Sequence, residues 1–158
     1  DLIRRHPERA GLPPRPILLG EAEALALLER RIAALPLREL RYLHDPTFPL
    51  PDILRAIGRA KEERRSPDAL MAQVAGNARW EDTARVYALY QDVLRGHGAV
   101  DYADLVALPL ELLEDHADIL EAERRQWRAV LVDEYQDINR GGARLVQLLC
   151  GPDGRSLW

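Results

Sequence analysis

The sequence predicts a mainly α-helical protein, in which a helical bundle is followed by a short α/β segment of one strand and one helix. Apolar residues recur at helical spacing over about the first 120 residues, between loops that contain proline and glycine. A continuous apolar run, Ala129–Val132, then interrupts this spacing. Its β-branched residues and abrupt polar end are typical of a strand that is buried on both faces. We therefore expect a helical unit at 1–120 and a partial α/β unit at 121–158.

The first half of the chain shows its helices through composition and proline placement. Four prolines before Gly20 indicate an extended lead-in after a short helix at most. Glu21–Leu35 is dense in Ala, Leu and Glu, which favour helix. Pro36 permits a new short helix, and three prolines in residues 44–51 predict a loop. The apolar side of that short helix would hold Leu37, Leu40 and Leu43.

The later helices have clearer start and stop signals. Pro51 suits a first helical position, and Ser66 with Pro67 predicts a capped helix start. Trp80–Arg95 is the longest candidate and ends at glycines. Asp101 can cap the next helix, with Asp104 three residues further on. We expect Leu105, Leu108, Leu112 and Leu113 to pack that helix, and Leu145, Leu148 and Leu149 to pack a last helix at Asn139–Cys150.

Composition limits the function classes. The chain has 158 residues, of which 47% are apolar and 30% charged, a mixture that suits one compact domain rather than disorder. The net charge of −4 is unlike that of free-standing nucleic-acid binders, which are usually basic. The chain alone should therefore bind DNA weakly, if at all, through local clusters such as Arg4–Arg5 or Lys61–Arg65. Charge runs of this kind are more often solvated helix faces.

Membrane and redox signals point to the cytoplasm. No apolar run approaches the roughly 20 residues that cross a bilayer. The single cysteine, Cys150, excludes an internal disulfide and fits a reducing compartment. The four histidines lack the close pairing that is typical of zinc ligands.

An acidic pair, Asp133 and Glu134, directly follows the predicted strand. Ligands of open α/β sheets bind beyond the carboxyl ends of the strands. Two carboxylates at that place can hold a magnesium ion and position a water, the two tasks of nucleotide hydrolysis. An acidic pair after an apolar run is nevertheless common, so the pair alone is equally compatible with a polar strand exit.

The wider string is far more specific. Asp133–Asp137 reads D-E-Y-Q-D and is followed by Ile138 and Asn139. It resembles the second motif of UvrD/Rep-like superfamily 1A DNA helicases, D-E-[FY]-Q-D-x-N. A chance match to its five positions is expected about once in a million sites.

Weaker similarity lies upstream. Asp101–Leu105 resembles the D-[FY]-x-D-L segment that these helicases carry about 30 residues before the acidic motif. Ile57–Lys61, followed by Ser66 and Pro67, is similar to a pattern in their helical insertion, and Arg4–His6 resembles the entry to that insertion.

The resemblance implies an architecture and roles for four residues. Residues 1–120 would form most of the helical insertion, subdomain 1B, and residues 121–158 would re-enter the RecA-like subdomain 1A with its Walker B strand. Asp133 would coordinate Mg²⁺ and Glu134 would act as general base on the water that attacks ATP, so these two residues would be catalytic. Gln136 and Asp137 would contribute to the nucleotide site and link it to a neighbouring motif.

The chain also departs from the family pattern. It contains no G-x-x-x-x-G-K-[ST] phosphate loop, which suggests an internal fragment that does not hydrolyse ATP alone. The resemblance implies that the parent protein couples ATP hydrolysis to movement along single-stranded DNA, with 3′-to-5′ polarity. It also implies duplex DNA as a partner and a role in DNA repair or replication.

Two other interpretations stay open. The chain could be a non-catalytic helical interaction module that retains the acidic motif, or the helicase part of a RecB/AddA-like helicase–nuclease. The aromatic residues Trp80, Tyr87, Tyr90 and Tyr102 could stack on bases, although aromatic residues at helical spacing more often belong to the core.

Overall fold

The computed structural model describes residues 2–127 and 129–151, and most of these are helical. The predicted mainly α fold is confirmed. The helices of the described part are α1 (Leu2–Arg5), α2 (Glu21–Glu29), α3 (Leu50–Glu62), α4 (Pro67–Val74), α5 (Ala78–Gly96), α6 (Asp104–Asp115), α7 (Ala117–Gln126) and α8 (Arg140–Cys150), with 3₁₀ turns at Ile32–Ala34 and Tyr135–Asp137.

The main core lies between α2, α3, α4 and α5. Ile57 and Leu28 are fully buried in it, and Tyr87 and Tyr90 of α5 pack there too. The core interpretation of these two tyrosines is therefore confirmed. Burial of apolar side chains of this size is the principal driving force for holding the four helices together.

A second, smaller core joins helices from both ends of the chain. Leu110, Leu113 and Ile119 of α6 and α7 pack with Leu148 of α8, and Leu2 of α1 packs against them. Gly141 lets α8 approach α3, because a Cβ atom there would lie 2.9 Å from the carbonyl oxygen of Glu62. The division at residue 120 into two units stays a prediction.

Local capping signals behave as the sequence predicts. Ser66 Oγ accepts a hydrogen bond from the backbone N–H of Ala69 at 3.1 Å, which caps α4. Asp101 and Asp104 cap each other reciprocally. The Asp104 N–H donates to Asp101 Oδ1 at 3.0 Å, and the Asp101 N–H donates to Asp104 Oδ2 at 3.1 Å. The start of α6 is therefore fixed by its own sequence.

Two short parallel strands, β1 (Ile17–Leu18) and β2 (Ala99–Val100), were not predicted. The N–H of Ile17 donates to Gly98 O at 3.0 Å, and the N–H of Leu19 donates to Val100 O at 2.8 Å. Gly98 has φ +58°, and a Cβ atom there would lie 2.8 Å from Pro13 Cγ. The pair ties the proline-rich lead-in to the residue that precedes Asp101.

The predicted helix after Pro36 is wrong, because a distant carboxylate takes its backbone donors. Asp82 of α5 is fully buried. Its Oδ2 accepts the N–H groups of Arg38, Glu39 and Leu40 at 2.9, 2.7 and 2.8 Å. Those groups point at the carboxylate in a loop rather than along a helix.

Two further sequence predictions are corrected, the extent of α2 and the packing of one leucine in α6. The helix predicted over Glu21–Leu35 ends at Glu29 and is followed by the 3₁₀ turn. Leu105 was expected to pack α6 but is 39% exposed, whereas the adjacent Asp104 is buried.

We expect Asp82→Asn to destabilise the fold by about 2–4 kcal/mol, because an amide cannot accept hydrogen bonds at both of the positions that now face backbone donors.

Burial acts to raise the pKa of Asp82, but hydrogen bonds from Leu40, Arg38 and Arg85 outweigh it, so the pKa is lowered. A lowered folded-state pKa stabilises the fold above the ordinary value of about 3.9 and loses that effect as pH falls further. Urea unfolding of both proteins at neutral pH and below about pH 4 measures this. An equal difference at both pH values would contradict the assignment.

The strand predicted at Ala129–Val132 is not formed as expected. Only Val130 takes part in a β-bridge, and Leu131 is 79% exposed rather than buried. A strand buried on both faces needs a neighbouring strand on each side to pair its backbone groups. Within residues 2–127 and 129–151 the one sheet is the β1–β2 pair, which lies elsewhere in the fold.

Among the helices that the structure describes, each is too short or too polar to cross a lipid bilayer.

Candidate functional site

The acidic motif forms a tight, exposed turn in front of α8. Every residue from Asp133 to Asp137 is exposed. The N–H of Asp137 donates to Glu134 O at 2.8 Å, which closes the 3₁₀ turn. The N–H of Glu134 donates to Asp133 Oδ1 at 3.0 Å. The turn thus places Asp133 and Glu134, both exposed, next to each other on one short stretch of backbone.

Glu134 has an unusual backbone conformation. Its φ of 50° and ψ of 47° place it in the left-handed region, which costs a residue with a side chain about 1–3 kcal/mol. The side-chain amide of Gln136 donates to the Glu134 carboxylate. The turn therefore brings Gln136 and Glu134 together, which follows from the geometry and not from sequence spacing alone.

The end of the motif is anchored to α8. Asn139 caps this helix, since its Oδ1 accepts the N–H of Gly142 at 2.8 Å. A Cβ atom at Gly142 would lie 2.9 Å from Ile138 Cγ2, so the helix start closes tightly on the motif. Since α8 packs on α6 in the second core, the position of the turn is coupled to the helical part of the molecule.

The carboxylates fit a magnesium ion only as part of a larger site. In the described ranges, no group of three His, Cys, Asp or Glu side chains could hold a metal ion. Magnesium, however, is usually bound by one or two carboxylates, with phosphate oxygens and waters as its other ligands. The hard oxygen donors of Asp133 and Glu134 suit that role when a nucleotide supplies the remainder.

The basic clusters that were considered for DNA contact in the sequence analysis are mostly neutralised by ion pairs. Arg5 makes a two-pronged ion pair with Glu123, at 2.6 and 2.8 Å, and this joins α1 to α7. Arg64 pairs with Glu114, and Arg65 Nη2 lies 2.8 Å from Glu63 Oε2. These arginines form ion pairs within the fold.

Lys61, the single lysine of the chain, is also part of the fold. Its side chain is 1% exposed, and Nζ lies 2.7 Å from Asp101 Oδ2 and 2.8 Å from Asp104 Oδ1. It also lies 5.2 Å from the centre of the Tyr90 ring. Burial, and then the nearby charge of Asp101, raises the pKa of Tyr90. The sequence interpretation of Lys61 as part of a solvated tail is wrong.

The chain is similar to known proteins over almost its whole length. The model of the UvrD/REP helicase N-terminal domain matches residues 1–156. The chain is 33% identical over 148 residues to the ATP-dependent DNA helicase PcrA of Leuconostoc citreum. The aligned region covers 94% of this chain and 19% of that protein.

Two Escherichia coli (strain K12) proteins are similar as well. Identity is 29% to the ATP-dependent DNA helicase Rep, over 98% of this chain and 22% of that protein. It is 31% to DNA helicase II, over 98% of this chain and 20% of that protein. The chain therefore spans about a fifth of the length of these relatives. The family model covers both the helices and the acidic turn, and on that match the chain belongs to the UvrD/REP helicase N-terminal domain family.

Proposed function

We propose that this chain is the part of an ATP-dependent DNA helicase that supplies the carboxylates for ATP hydrolysis. The observation that carries the proposal is the exposed D-E-Y-Q-D turn at Asp133–Asp137, in a chain whose family match runs from residue 1 to residue 156. The relatives are DNA helicases by name, and two of them are ATP-dependent. In the whole protein, ATP hydrolysis would drive movement along single-stranded DNA.

Asp133 and Glu134 have different tasks in this proposal. Asp133 would hold Mg²⁺, and its Oδ2 is the oxygen that does not accept the Glu134 N–H. The ion, when bound, would neutralise phosphate charge as the γ-phosphoryl group is transferred to water. Glu134 accepts a proton from that water at its carboxylate, as a general base does.

Gln136 and Asp137 complete the nucleotide site. The hydrogen bond from Gln136 to the Glu134 carboxylate supports a role for Gln136 in orienting the base. Asp137 closes the turn through its backbone N–H, which leaves its exposed carboxylate available to a neighbouring segment. Both residues would thereby link the nucleotide site to the rest of the motor.

We further propose that residues 1–120 correspond to subdomain 1B and residues 121–158 to a part of the RecA-like subdomain 1A. The exposure of Leu131 within the apolar run Ala129–Val132 supports this assignment, because burial of that side chain under neighbouring strands would contribute about 1.5–3 kcal/mol. The run would then be the Walker B strand, with Asp133 and Glu134 at its carboxyl end.

ATP turnover by this chain, measured beside the longer protein that carries it, tests the proposal. We expect no turnover by the chain, which has no phosphate loop, and turnover that depends on Mg²⁺ and rises with single-stranded DNA in the longer protein. A folded longer protein that binds no ATP would instead support the interaction-module interpretation and leave the acidic turn without a catalytic role.

A further inference from the structure

The turn that ends α3 holds an arginine in a backbone conformation that favours glycine. Arg64 has φ +57°, in the left-handed region, where a Cβ atom is crowded by the following carbonyl oxygen. Its N–H donates to Lys61 O at 2.9 Å, and the N–H of Arg65 donates to Ala60 O at 2.8 Å, the pattern of a helix end that usually has glycine at this position. A strained residue of this kind indicates that its side chain has a task that offsets the strain.

The side chain of Arg64 pairs with Glu114, and Glu114 also pairs with Arg144 of α8. The Arg64 guanidinium lies against Glu114 Oε2, and Arg144 Nε donates to Glu114 Oε1 at 2.9 Å. The Glu114 side chain is 18% exposed, so solvent screens these pairs less than it screens a fully exposed pair. We call Arg64, Glu114 and Arg144 together the Glu114 bridge, which joins the end of α3, the end of α6 and the first half of α8.

The Glu114 bridge lies close behind the acidic turn in the chain. Helix α8 begins at Arg140, directly after the capping residue Asn139, and Arg144 is on its second turn. Gly141 lets α8 approach α3, because a Cβ atom there would lie 2.9 Å from Glu62 O. This contact sets how closely the helix approaches, but a glycine has no side chain that could fix the rotation of α8 or its position along α6. Arg144 supplies that second fixed point.

The two ends of α8 are held by different contacts. Near its end, Arg124 Nε of α7 donates to Leu148 O at 2.8 Å. Near its start, Arg144 makes the one ion pair that α8 forms within residues 2–127 and 129–151. Loss of the Glu114 bridge therefore frees the end of α8 that follows the acidic turn and leaves the other end in place.

We propose that Glu114 is a positioning residue for ATP turnover, because it fixes α8, and with it the acidic turn at Asp133–Asp137, against α3 and α6. The inference rests on the proposed function, in which the acidic turn acts on ATP and water. Reacting groups have to be held closely, and a displacement of about 1 Å can lower a rate about 100-fold. Glu114 does not touch the nucleotide; it acts through Arg144 and the backbone of α8, while Arg64 holds its carboxylate from the other side.

Glu114→Gln in the longer protein removes the shared charge and keeps the size of the side chain. The kcat for ATP should fall about tenfold, because the carboxylates of the acidic turn are held less closely, and the KM should stay within about twofold. Arg144→Gln should have a similar effect. The double variant should lose less than about twofold more, since both changes break one contact. Effects of the two changes that multiply would contradict a shared bridge.

Arg64→Gly separates positioning from simple stabilisation. Glycine adopts the left-handed conformation without strain, so the melting temperature of the longer protein should stay unchanged or rise. The kcat for ATP should nevertheless fall, by about three- to tenfold, because Glu114 loses its second partner. A normal kcat, or a kcat that falls together with the melting temperature, would overturn the positioning role.

Hydrogen exchange gives a readout that does not depend on turnover. The N–H groups of Gly142 and Ala143 bond to Asn139 at the start of α8, at 2.8 and 3.0 Å. In Glu114→Gln and Arg64→Gly these amides should exchange faster, whereas amides in α4 and α5 should be unaffected. Unchanged exchange at the start of α8 would mean that the bridge does not hold this helix, and the proposal would then be wrong.

Arg95→Gln is the matched control, since it also removes an arginine from an ion pair. Arg95 Nη2 lies 2.9 Å from Asp92 Oδ1 on α5, and the two side chains are 70% and 74% exposed. An exposed pair of this kind contributes little, so kcat should stay within about twofold and exchange at the start of α8 should not change.

Glu134→Gln in the same longer protein tests the proposed function separately. If Glu134→Gln loses turnover while Glu114→Gln and Arg64→Gly keep it, the proposed function stands and the positioning role of Glu114 fails. If Glu134→Gln keeps normal turnover, the proposed function fails, and faster exchange in Glu114→Gln would then show a structural contact only.

Discussion

Replacing Glu134 with glutamine in the longer protein is expected to lower ATP turnover by about 100-fold or more, because positioned general bases contribute about 10²–10⁴-fold. Glutamine keeps the size and the hydrogen-bonding oxygen of Glu134 but cannot take up the proton of the attacking water. Nucleotide binding should be unchanged, since the exposed Glu134 carboxylate makes its contact with Gln136 and not with a structural partner of the core. Steady-state turnover and equilibrium binding of a fluorescent ATP analogue separate the two effects.

Glu8→Gln is the matched control for this experiment. Glu8 is exposed and lies near the start of the chain, far in sequence from the acidic turn, so the same chemical change there should leave turnover within about twofold. Near-normal turnover in Glu134→Gln would exclude the general-base role. Equal loss of nucleotide binding and of turnover would instead indicate that Glu134 holds the turn in its binding shape.

The sequence was sufficient for features whose causes are local. The predicted cap of α4 is formed by Ser66 with an N–H group three residues away, and the predicted cap at Asp101 is equally local, with Asp104 as its reciprocal partner. The acidic motif could be recognised because its letters are contiguous. The family that these letters indicated is confirmed by the match over residues 1–156.

Features that depend on distant partners could not be predicted. The loop after Pro36 is set by Asp82, which is more than 40 residues away in the chain. The strands β1 and β2 have two residues each, which is too short to show an alternating pattern of apolar and polar residues in the sequence. The left-handed backbone of Glu134 and its contact with Gln136 also lack a sequence signal, because a non-glycine residue rarely adopts that region.

The same limit explains why Lys61 was placed on the surface. In the sequence it opens a charged run that continues through Glu62 to Arg65, which is typical of a solvated helix end. In the fold its side chain instead enters the gap between α3 and the start of α6, where the reciprocal caps Asp101 and Asp104 face it. A lone lysine with two acids about 40 residues downstream was the available signal, but only the tertiary structure brings them together.

The Lys61 cluster therefore offers the largest expected effect on stability. Replacing Lys61 with methionine should destabilise the fold by about 3–5 kcal/mol, because it leaves two largely buried carboxylates without their counter-ion. Urea unfolding followed by circular dichroism measures this change. Arg55→Met removes an exposed pair with Asp52 and should cost less than about 1 kcal/mol.

The pH dependence of that loss identifies its cause. Burial raises the pKa of Asp104, and Lys61 acts to lower it, so removing the lysine raises this pKa further. A carboxyl group with a raised folded-state pKa binds its proton more tightly in the folded state, and protonation then favours folding. The loss of unfolding free energy in Lys61→Met should accordingly become smaller between pH 7 and about pH 4, towards the ordinary carboxyl range.

Adding Asp101→Asn and Asp104→Asn should recover much of the stability at neutral pH, since asparagine keeps the caps and removes the unpaired charges. If the deficit is independent of pH and the triple variant recovers nothing, lost packing around Tyr90, and not unpaired charge, is the reason.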